Sequence, residues 1–493
     1  MKNESKVSKV LSILLSFVLV ISSFYLLYQV IRLNVLPSKF LFPLTIGVVV
    51  LDAIFILLLI YFSKNVVSKI VCIVLTLFIC VASCMCGYYI SKTQNVLSSI
   101  TNVAKHAKNT VSVVVKESSS IKNKSQLNGV SVGSLRLNEQ GSKKVLKELS
   151  NEGIVLNQTE YDSMTALLEA FYNGEVDSII INESSRSQIL DMEAYSNFDS
   201  NTRIVYQTSY KVKNNDSATS VSDITSKPFN VLISGSDTRG GFDENGRSDV
   251  IMIATVNPKT HTILLTSVPR DFYVTTACDA GDGCMQGALD KITHTGIHGT
   301  NTTKRTVEQL LGIEINYTFK VGFDTVTKLV DTLGGVDVYV EPGYAVHNEC
   351  INVKEGVNHL YGKEALEYAR ERYAYTEGDR QRTKNQQQVL MGIVKEATKP
   401  SVITNYAAIL DTMANTFSTT MSNDEITDLI KYQLNNNPTW KMEQYMVDGT
   451  GDTLMCAELG DAASVMVPDQ STVKMAKDKI NAVLAGKSSE DVK

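Results

Sequence analysis

Three short charged stretches stand out for their chemistry: Asp237 with Arg239, Arg247 with Asp249, and Arg270 with Asp271. A second group follows, with Arg370 and Arg372, then Arg382 and Gln386. Each guanidinium offers a planar fork of donors that matches phosphate oxygens in pairs. Several around one pocket suit a diphosphate. Two carboxylates, Asp237 and Asp249, suit Mg²⁺ (or Mn²⁺), which is commonly held by one or two acids plus phosphate oxygens. Arginines and a metal ion together stabilise the charge that develops in phosphoryl transfer. Asp271 is left as a base or positioning group. Taken singly, charged residues at strand ends are usually solvated, and an Asp beside a turn often just bonds backbone amides. Six arginines interleaved with three aspartates are hard to attribute to surface decoration.

The surrounding elements explain why these residues would meet. Residues 229–233, 250–256 and 262–268 are apolar and β-rich. The turn Asn257-Pro-Lys-Thr260 joins the last two as a hairpin. If all three strands form an antiparallel meander, Asp237, Arg239, Arg247, Asp249, Arg270 and Asp271 gather at one end of the sheet. Residues 363–373 and 383–398 read as helices, the first ending in Arg370-Glu-Arg372. Arg382 and Gln386 share a helical face. Arg382 also sits near a helix N-terminus, where backbone N–H groups and the dipole favour an anion. Helical spacing at 302–311, 323–333 and 472–484, with strand-like pieces at 442–447 and 463–467, completes an α/β domain.

A chain of 493 residues is too long for one ordinary domain. Its 44% apolar and 20% charged content argues against disorder. A net charge of −5 supplies no basic field, and no helix-turn-helix is evident, so nucleic acid is not the expected partner. Apolar runs at 10–31, 40–62 and 70–90 each approach or exceed the ~20 residues a spanning helix needs. No small-residue cleavage site follows the first, so three retained spans are expected. Asp52, inside the second, is expected to face a neighbouring helix. Lys2, Lys6, Lys9, Lys64 and Lys69 would share one side of the membrane, and Arg32 and Lys39 the other. That bias predicts a multi-pass cell-membrane protein with a cytoplasmic N-terminus and extracellular C-terminal domains.

The expected order is three spans (1–91), a helical stalk (92–109), an accessory α/β domain (110–211), a polar linker (212–227), the main domain (228–485) and a tail (486–493). In the accessory domain, strands are predicted at 111–115, 130–134, 153–157, 178–181 and 203–206, and helices at 141–151 and 161–172. It is similar to one lobe of a periplasmic solute-binding protein through residues 127–135 and 161–182, without a ligand motif, and reads as a spacer or docking domain. Cys278 and Cys284 could close a small disulfide loop in an oxidising space. Their spacing disfavours zinc.

The ordered motifs carry a family resemblance. Asn230-Val-Leu-Ile-Ser-Gly-Ser-Asp-Thr-Arg239, Gly246-Arg-Ser-Asp249, Ser267-Val-Pro-Arg-Asp271, Asp290-Lys-Ile-Thr-His294, Glu367-Tyr-Ala-Arg-Glu-Arg372 and Gly378-Asp-Arg-Gln-Arg382 closely resemble the LytR-CpsA-Psr family, over residues 228–397. Three spans plus an accessory domain are similar to its capsule-assembly branch. The resemblance implies an α/β/α sandwich around a central mixed sheet, with an apolar tunnel for a prenyl chain that residues 302–333 would line. It implies transfer of a glycopolymer, capsular polysaccharide or teichoic acid, from a polyprenyl-diphosphate carrier onto peptidoglycan. The metal-binding acids would be Asp237 and Asp249. The diphosphate would meet Arg239, Arg247, Arg270, Arg370, Arg372, Arg382 and Gln386. Arg247, Arg372 and Arg382 would act in catalysis, with Asp271 or Asp249 helping to deprotonate the acceptor. Water in place of the sugar would make a pyrophosphatase, and older naming in the family suggests a membrane sensor or regulator. Many members carry Arg where this chain has Asn385. His294 reads as a structural hydrogen-bonder rather than a ligand.

Overall fold

Apolar helices dominate the N-terminal part of the computed structural model, which describes residues 6–62, 65–101, 106–236, 244–278, 284–399, 408–409, 411–412 and 417–492. Asp237 and Arg239 therefore lie outside the described residues. The stretches Lys9–Leu33, Ser38–Tyr61 and Val66–Thr101 are long and apolar enough to cross a membrane, with mean hydropathies of 2.5, 2.7 and 2.7. They contain helices α1 (Lys6–Leu33), α2 (Ser38–Leu57) and α3 (Val66–Thr101). Ser23 Oγ on α1 donates to Asp52 Oδ1 on α2 at 2.9 Å, so the acid faces a neighbouring helix, as expected. Together with Ala397–Ala414 and Ser422–Pro438, these helices form one of two compact units.

The other unit holds two principal sheets. The smaller contains β1 (His106–Lys116), β2 (Ser131–Leu135), β3 (Asn157–Tyr161), β4 (Ser178–Asn182) and β5 (Thr202–Lys213), in the order β3-β2-β4-β1-β5. Helices α4 (Glu139–Asn151), α5 (Met164–Asn173), α6 (Arg186–Asp191) and the short α7 (Phe198–Asn201) connect the strands. The third strand was expected at 153–157 but begins at Asn157. Ile154 and Leu156 instead pack against the core on the way to the sheet, and the edge strand itself is polar. An edge strand facing water needs no apolar signal.

The larger sheet is mixed, in the order β16-β11-β6-β7-β8-β17. At its centre β6 (Phe229–Ser236), β7 (Val250–Asn257) and β8 (Thr262–Val268) form the expected antiparallel meander, with Gly235 opposite Val250 and Ile251 opposite Val268. The short β9 (Tyr273–Thr275) and β10 (Leu289–Lys291) pair beyond β8. Strand β11 (Tyr317–Gly322) adds parallel to β6. The β12 (Val336–Val340) and β15 (Gly356–Leu360) pair, and β13 (Val346–His347) with β14 (Asn352–Val353), make small ladders. Strands β16 (Phe417–Thr419) and β17 (Lys441–Met446) close the edges, and β18 (Gly449–Cys456) and β19 (Asp461–Pro468) form a hairpin. The helices are α8 (Thr300–Leu311), α9 (Phe323–Leu333), α10 (Gly362–Arg370), α11 (Asp379–Ala397) and α12 (Gln470–Leu484).

Leu232, Ile253 and Leu264 of the sheet pack with Val307 and Leu311 of α8 and with Ile480 and Val483 of α12. Val307 and Leu311 are thus ordinary core rather than tunnel wall. The segment expected as a linker is fastened down: Val221 N donates to Tyr317 Oη at 3.1 Å, and Thr318 Oγ1 donates to Asp216 at 2.9 Å. Cys278 and Cys284 are joined by a disulfide.

The accessory domain is not a tethered spacer. Leu167, Phe171 and Ile179 share one buried cluster with Cys456, Leu459 and Val465 of the β18–β19 hairpin. Met164 N donates to Leu459 O at 2.8 Å. Truncating Phe171, fully buried here, to Ala should cost about 3–5 kcal/mol. The single tryptophan, Trp440, precedes β17 and lies far along the chain from this seam. In Phe171→Ala its fluorescence should report a lower denaturation midpoint. An unshifted Trp440 transition would show that the two domains unfold independently.

Glu443 clips the C-terminal tail to β17. It accepts from Ser488 Oγ and Ser489 N, each at 2.8 Å, and pairs with Lys441 at 2.8 Å. Burial opposes its charge, but Lys441 and the two serines outweigh it and hold the carboxyl down at about 2. Its stabilising effect is therefore complete above its ordinary value of 4.5 and lost as pH falls toward 2. Glu443→Gln should be less stable at neutral pH and show a flatter acid-unfolding profile in that window. Parallel acid profiles for the two proteins would refute this.

Candidate active site

The site lies at the end of the central sheet where β6 and β8 finish and β7 begins. Asp249 N donates to Gly235 O at 2.8 Å, and Ser248 N donates to Thr293 O at 3.0 Å. Buried Ser248 also places its Oγ 3.0 Å from Ser234 Oγ and 3.0 Å from Thr303 Oγ1. Gly296 permits this packing, because a Cβ there would sit 2.5 Å from Gly246 O and 2.6 Å from Ser248 N. No larger residue fits without moving the backbone that carries Arg247 and Asp249.

From this segment Arg247 and Asp249 line a cleft of about 720 Å³, together with Arg270, Arg370, Arg372, Arg382 and Gln386. The sequence-predicted residues within the described chain therefore converge, with one exception. Asp271 lines an adjoining hollow of about 210 Å³, with Lys291 and His294, that Arg247, Arg270 and Arg372 also border.

Helix α10 ends at Arg370, three residues earlier than expected. The Glu371 carboxylate accepts from Tyr373 N at 2.8 Å and Ala374 N at 3.1 Å, which takes these amides out of a helix. The resulting turn presents Arg372, whose guanidinium lies 4.6 Å from the Tyr373 ring centre. Arg370 lies 5.5 Å from the Phe323 ring centre. Arg382 and Gln386 both come from α11, and Arg382 pairs with Asp379 at the start of that helix.

Charge in the cleft is only partly balanced within the protein. Arg270 Nη1 donates to Asp249 Oδ1 at 2.8 Å, and Arg247 Nη2 is 3.8 Å from the same oxygen. Lys291 Nζ bonds Asp271 at 3.2 Å. Burial works against the charge of Arg270, but Asp249, Asp271 and Asp379 prevail and raise its pKa. Arg382 goes the other way. Burial lowers its pKa, Asp379 opposes this, and neighbouring Arg270 and Arg372 lower it further. The Nε atoms of Arg247, Arg270 and Arg382 are each buried without a hydrogen-bond partner among the described residues. An unmet buried donor costs about 1–3 kcal/mol. Three in one cleft, among crowded cations, form a site whose donors an oxyanion would satisfy.

Of the two acids expected to hold a metal ion, Asp249 is the one within the described residues. Among the described residues no group of three or more His, Cys, Asp or Glu could hold an ion by itself. A lone carboxylate suits a hard cation when phosphate oxygens complete its shell. His294 is structural, as expected: it is buried, with Nδ1 2.7 Å from Asp290 Oδ1, and Asp290 Oδ2 accepts from Glu458 N at 2.8 Å.

Residues 195–482 match the model of the LytR_cpsA_psr family. The chain belongs to this family. A Bacillus subtilis protein named polyisoprenyl-teichoic acid–peptidoglycan teichoic acid transferase TagU is 36% identical over 203 residues. That match covers 41% of this chain and 63% of the relative's length. TagU of Bacillus licheniformis is 33% identical over 226 residues, covering 46% of this chain and 70% of that protein. The crystal structure of B. subtilis TagU superposes with a TM-score of 0.41 and 29% identity, covering 52% of this chain and 97% of that one.

Within the LytR_cpsA_psr domain, Asn385 points away from the cleft's chemistry. It is fully buried, bonding Tyr368 O at 3.0 Å, Tyr375 Oη at 3.3 Å and Gln381 Nε2 at 3.0 Å. Asp379, Asp191 and Lys291 are site residues that the sequence reading missed. Asp379 had a signal, an acid one turn before Arg382 at a helix start. Asp191, which pairs with Arg247, comes from the accessory domain and had none. Replacing Arg382 with Lys keeps a cation but removes the fork and its buried Nε. Affinity for farnesyl diphosphate, read by calorimetry, should fall roughly 10- to 100-fold, from the ~1.5–3 kcal/mol of a charge-assisted bond. Equal affinity in the two proteins would place the diphosphate elsewhere.

Proposed function

We propose that this chain is a membrane-anchored phosphotransferase that moves a glycopolymer from a polyprenyl-diphosphate carrier onto peptidoglycan at the outer face of the membrane. The observation that carries the proposal is the set of buried Nε donors on Arg247, Arg270 and Arg382, without hydrogen-bond partners among the described residues, around one cleft. The names of the two TagU relatives point to the same reaction class. Mg²⁺ or Mn²⁺, if bound by Asp249 with Asp237 and the diphosphate oxygens, would neutralise charge on the reacting phosphates.

In this proposal Arg270, Arg372 and Arg382 bind and orient the diphosphate. A peptidoglycan hydroxyl attacks the polymer-side phosphorus, forming a new P–O bond. The bond from that phosphorus to the bridging oxygen breaks, and the lipid leaves as its monophosphate. The hydroxyl proton passes to Asp249 or Asp271, and a phosphodiester joins polymer to wall. Guanidinium donors already in place cost no reorganisation as charge shifts to the leaving phosphate.

Removing one such donor typically slows turnover about 10²- to 10³-fold. Arg372→Ala should therefore lose transfer to that degree in a detergent-solubilised assay, with folding intact. Mass spectrometry of the products should find polymer joined to glycan through phosphate. Free polymer phosphate, with no joined product, would replace the transferase with a pyrophosphatase. Full activity in Arg372→Ala would remove the arginine cluster from the reaction.

A further inference from the structure

The cleft has a second wall that the proposed reaction does not use. Lys108 and Thr110 on β1, Ser184 just before α6, Ser187 and Asp191 within it, and Gln207 on β5 line the same 720 Å³ space as the arginines. A volume in the ~300–1,000 Å³ range accommodates a whole small-molecule ligand, more than a diphosphate requires. This wall is held firmly. Thr110 Oγ1 donates to Glu244, Lys108 bridges to Glu244 in a parallel pairing, and Lys320 Nζ donates to Glu244 O at 2.7 Å. The shared apolar core fixes the same domain from behind.

The two walls differ in charge. On the accessory side the cations are already paired with carboxylates. Arg186 Nε and Nη2 donate to Glu183 at 2.6 and 2.8 Å, and its Nη1 donates to Asp199 at 3.0 Å. Lys108 Nζ is 3.3 Å from Glu244 Oε1. A phosphate placed against this wall would meet Asp191 and Glu183 with no cation to spare. Hydroxyls and an amide are there instead: Gln207 Nε2 donates to Ser112 Oγ at 3.0 Å, which holds the side chain in place, and Ser184 Oγ is buried without a hydrogen-bond partner among the described residues.

We propose that the accessory domain supplies a subsite for an uncharged sugar unit adjoining the diphosphate, recognised through hydroxyl bonds to Ser184, Ser187 and Gln207. The inference rests on the diphosphate reading of the arginine wall. Each sugar hydroxyl both donates and accepts, which matches serine hydroxyls and a glutamine amide. The accessory domain then selects for a sugar next to the phosphates and against a further phosphate.

The test uses the full chain in detergent, with Ser184→Leu and Gln207→Leu made separately. Farnesyl diphosphate and farnesyl-diphospho-N-acetylglucosamine serve as ligands, and an uncross-linked peptidoglycan glycan serves as acceptor. In each variant, affinity for the sugar-bearing ligand should fall at least tenfold while affinity for farnesyl diphosphate stays constant, which also certifies the fold. If donor affinity holds but the acceptor KM rises tenfold, the subsite stands and its sugar comes from the acceptor. No change in either quantity overturns the proposal, as does an equal loss for both lipids in folded protein. Native protein that binds neither lipid overturns the diphosphate reading and takes this inference with it.

Discussion

Like charge crowds one end of the central sheet, and much of the architecture serves to hold it there. Arg270 and Arg382 are close enough for one to lower the pKa of the other, and both are largely buried. Repulsion of this kind would scatter flexible side chains. Here it is contained by Asp249, just before β7, by Asp379 at the start of α11, and by backbone that cannot easily move. The ladder bond from Asp249 N to Gly235 O fixes one side. The close approach at Gly296 fixes Ser248 and hence Arg247. The Glu371 turn fixes Arg372. Holding like charges close together is costly to the fold, which explains why so many separate elements contribute to their placement.

The accessory domain belongs to the same arrangement. Its β-sheet packs its core against the β18–β19 hairpin, so Asp191 reaches Arg247 from a surface that is itself well supported. Burial of Phe171, Leu167 and Val465 in one cluster provides an apolar driving force that a flexible tether would lack. The domain therefore acts at fixed distance from the arginines, as a wall and not as a passing partner.

Much of this was legible in the sequence where local pattern and global fold agree. The β6–β7–β8 meander followed from three apolar runs and an Asn-Pro turn, and its register gathers Arg247, Asp249 and Arg270 as the spacing implied. Helix α9 was found at its observed limits because its apolar period is clean. Other features had no local signal. Strand β3 is polar because it is an edge, and β18 carries mostly exposed residues, so neither alternates strongly. Strand β11 joins the sheet through two partners distant along the chain, β6 and β16. The end of α10 was missed because side-chain bonds from Glu371 compete with the helix, which periodicity does not register. The pairing of Asp191 with Arg247 depends on tertiary packing between domains, and no spacing along the chain encodes it.

The preference for arginine over lysine in this cleft also follows from the crowding. Burial and two neighbouring cations press the pKa of Arg382 downward. A guanidinium starts far above neutrality and tolerates that pressure without losing its charge, whereas an ammonium starting near ~10.4 has far less margin. Desolvation readily neutralises buried lysines. A cluster of lysines in the same geometry would relieve its repulsion by shedding protons, and its attraction for an anion would go with them. Permanently charged side chains leave the fold no such escape. The repulsion remains, and it is repulsion that a bound oxyanion would relieve.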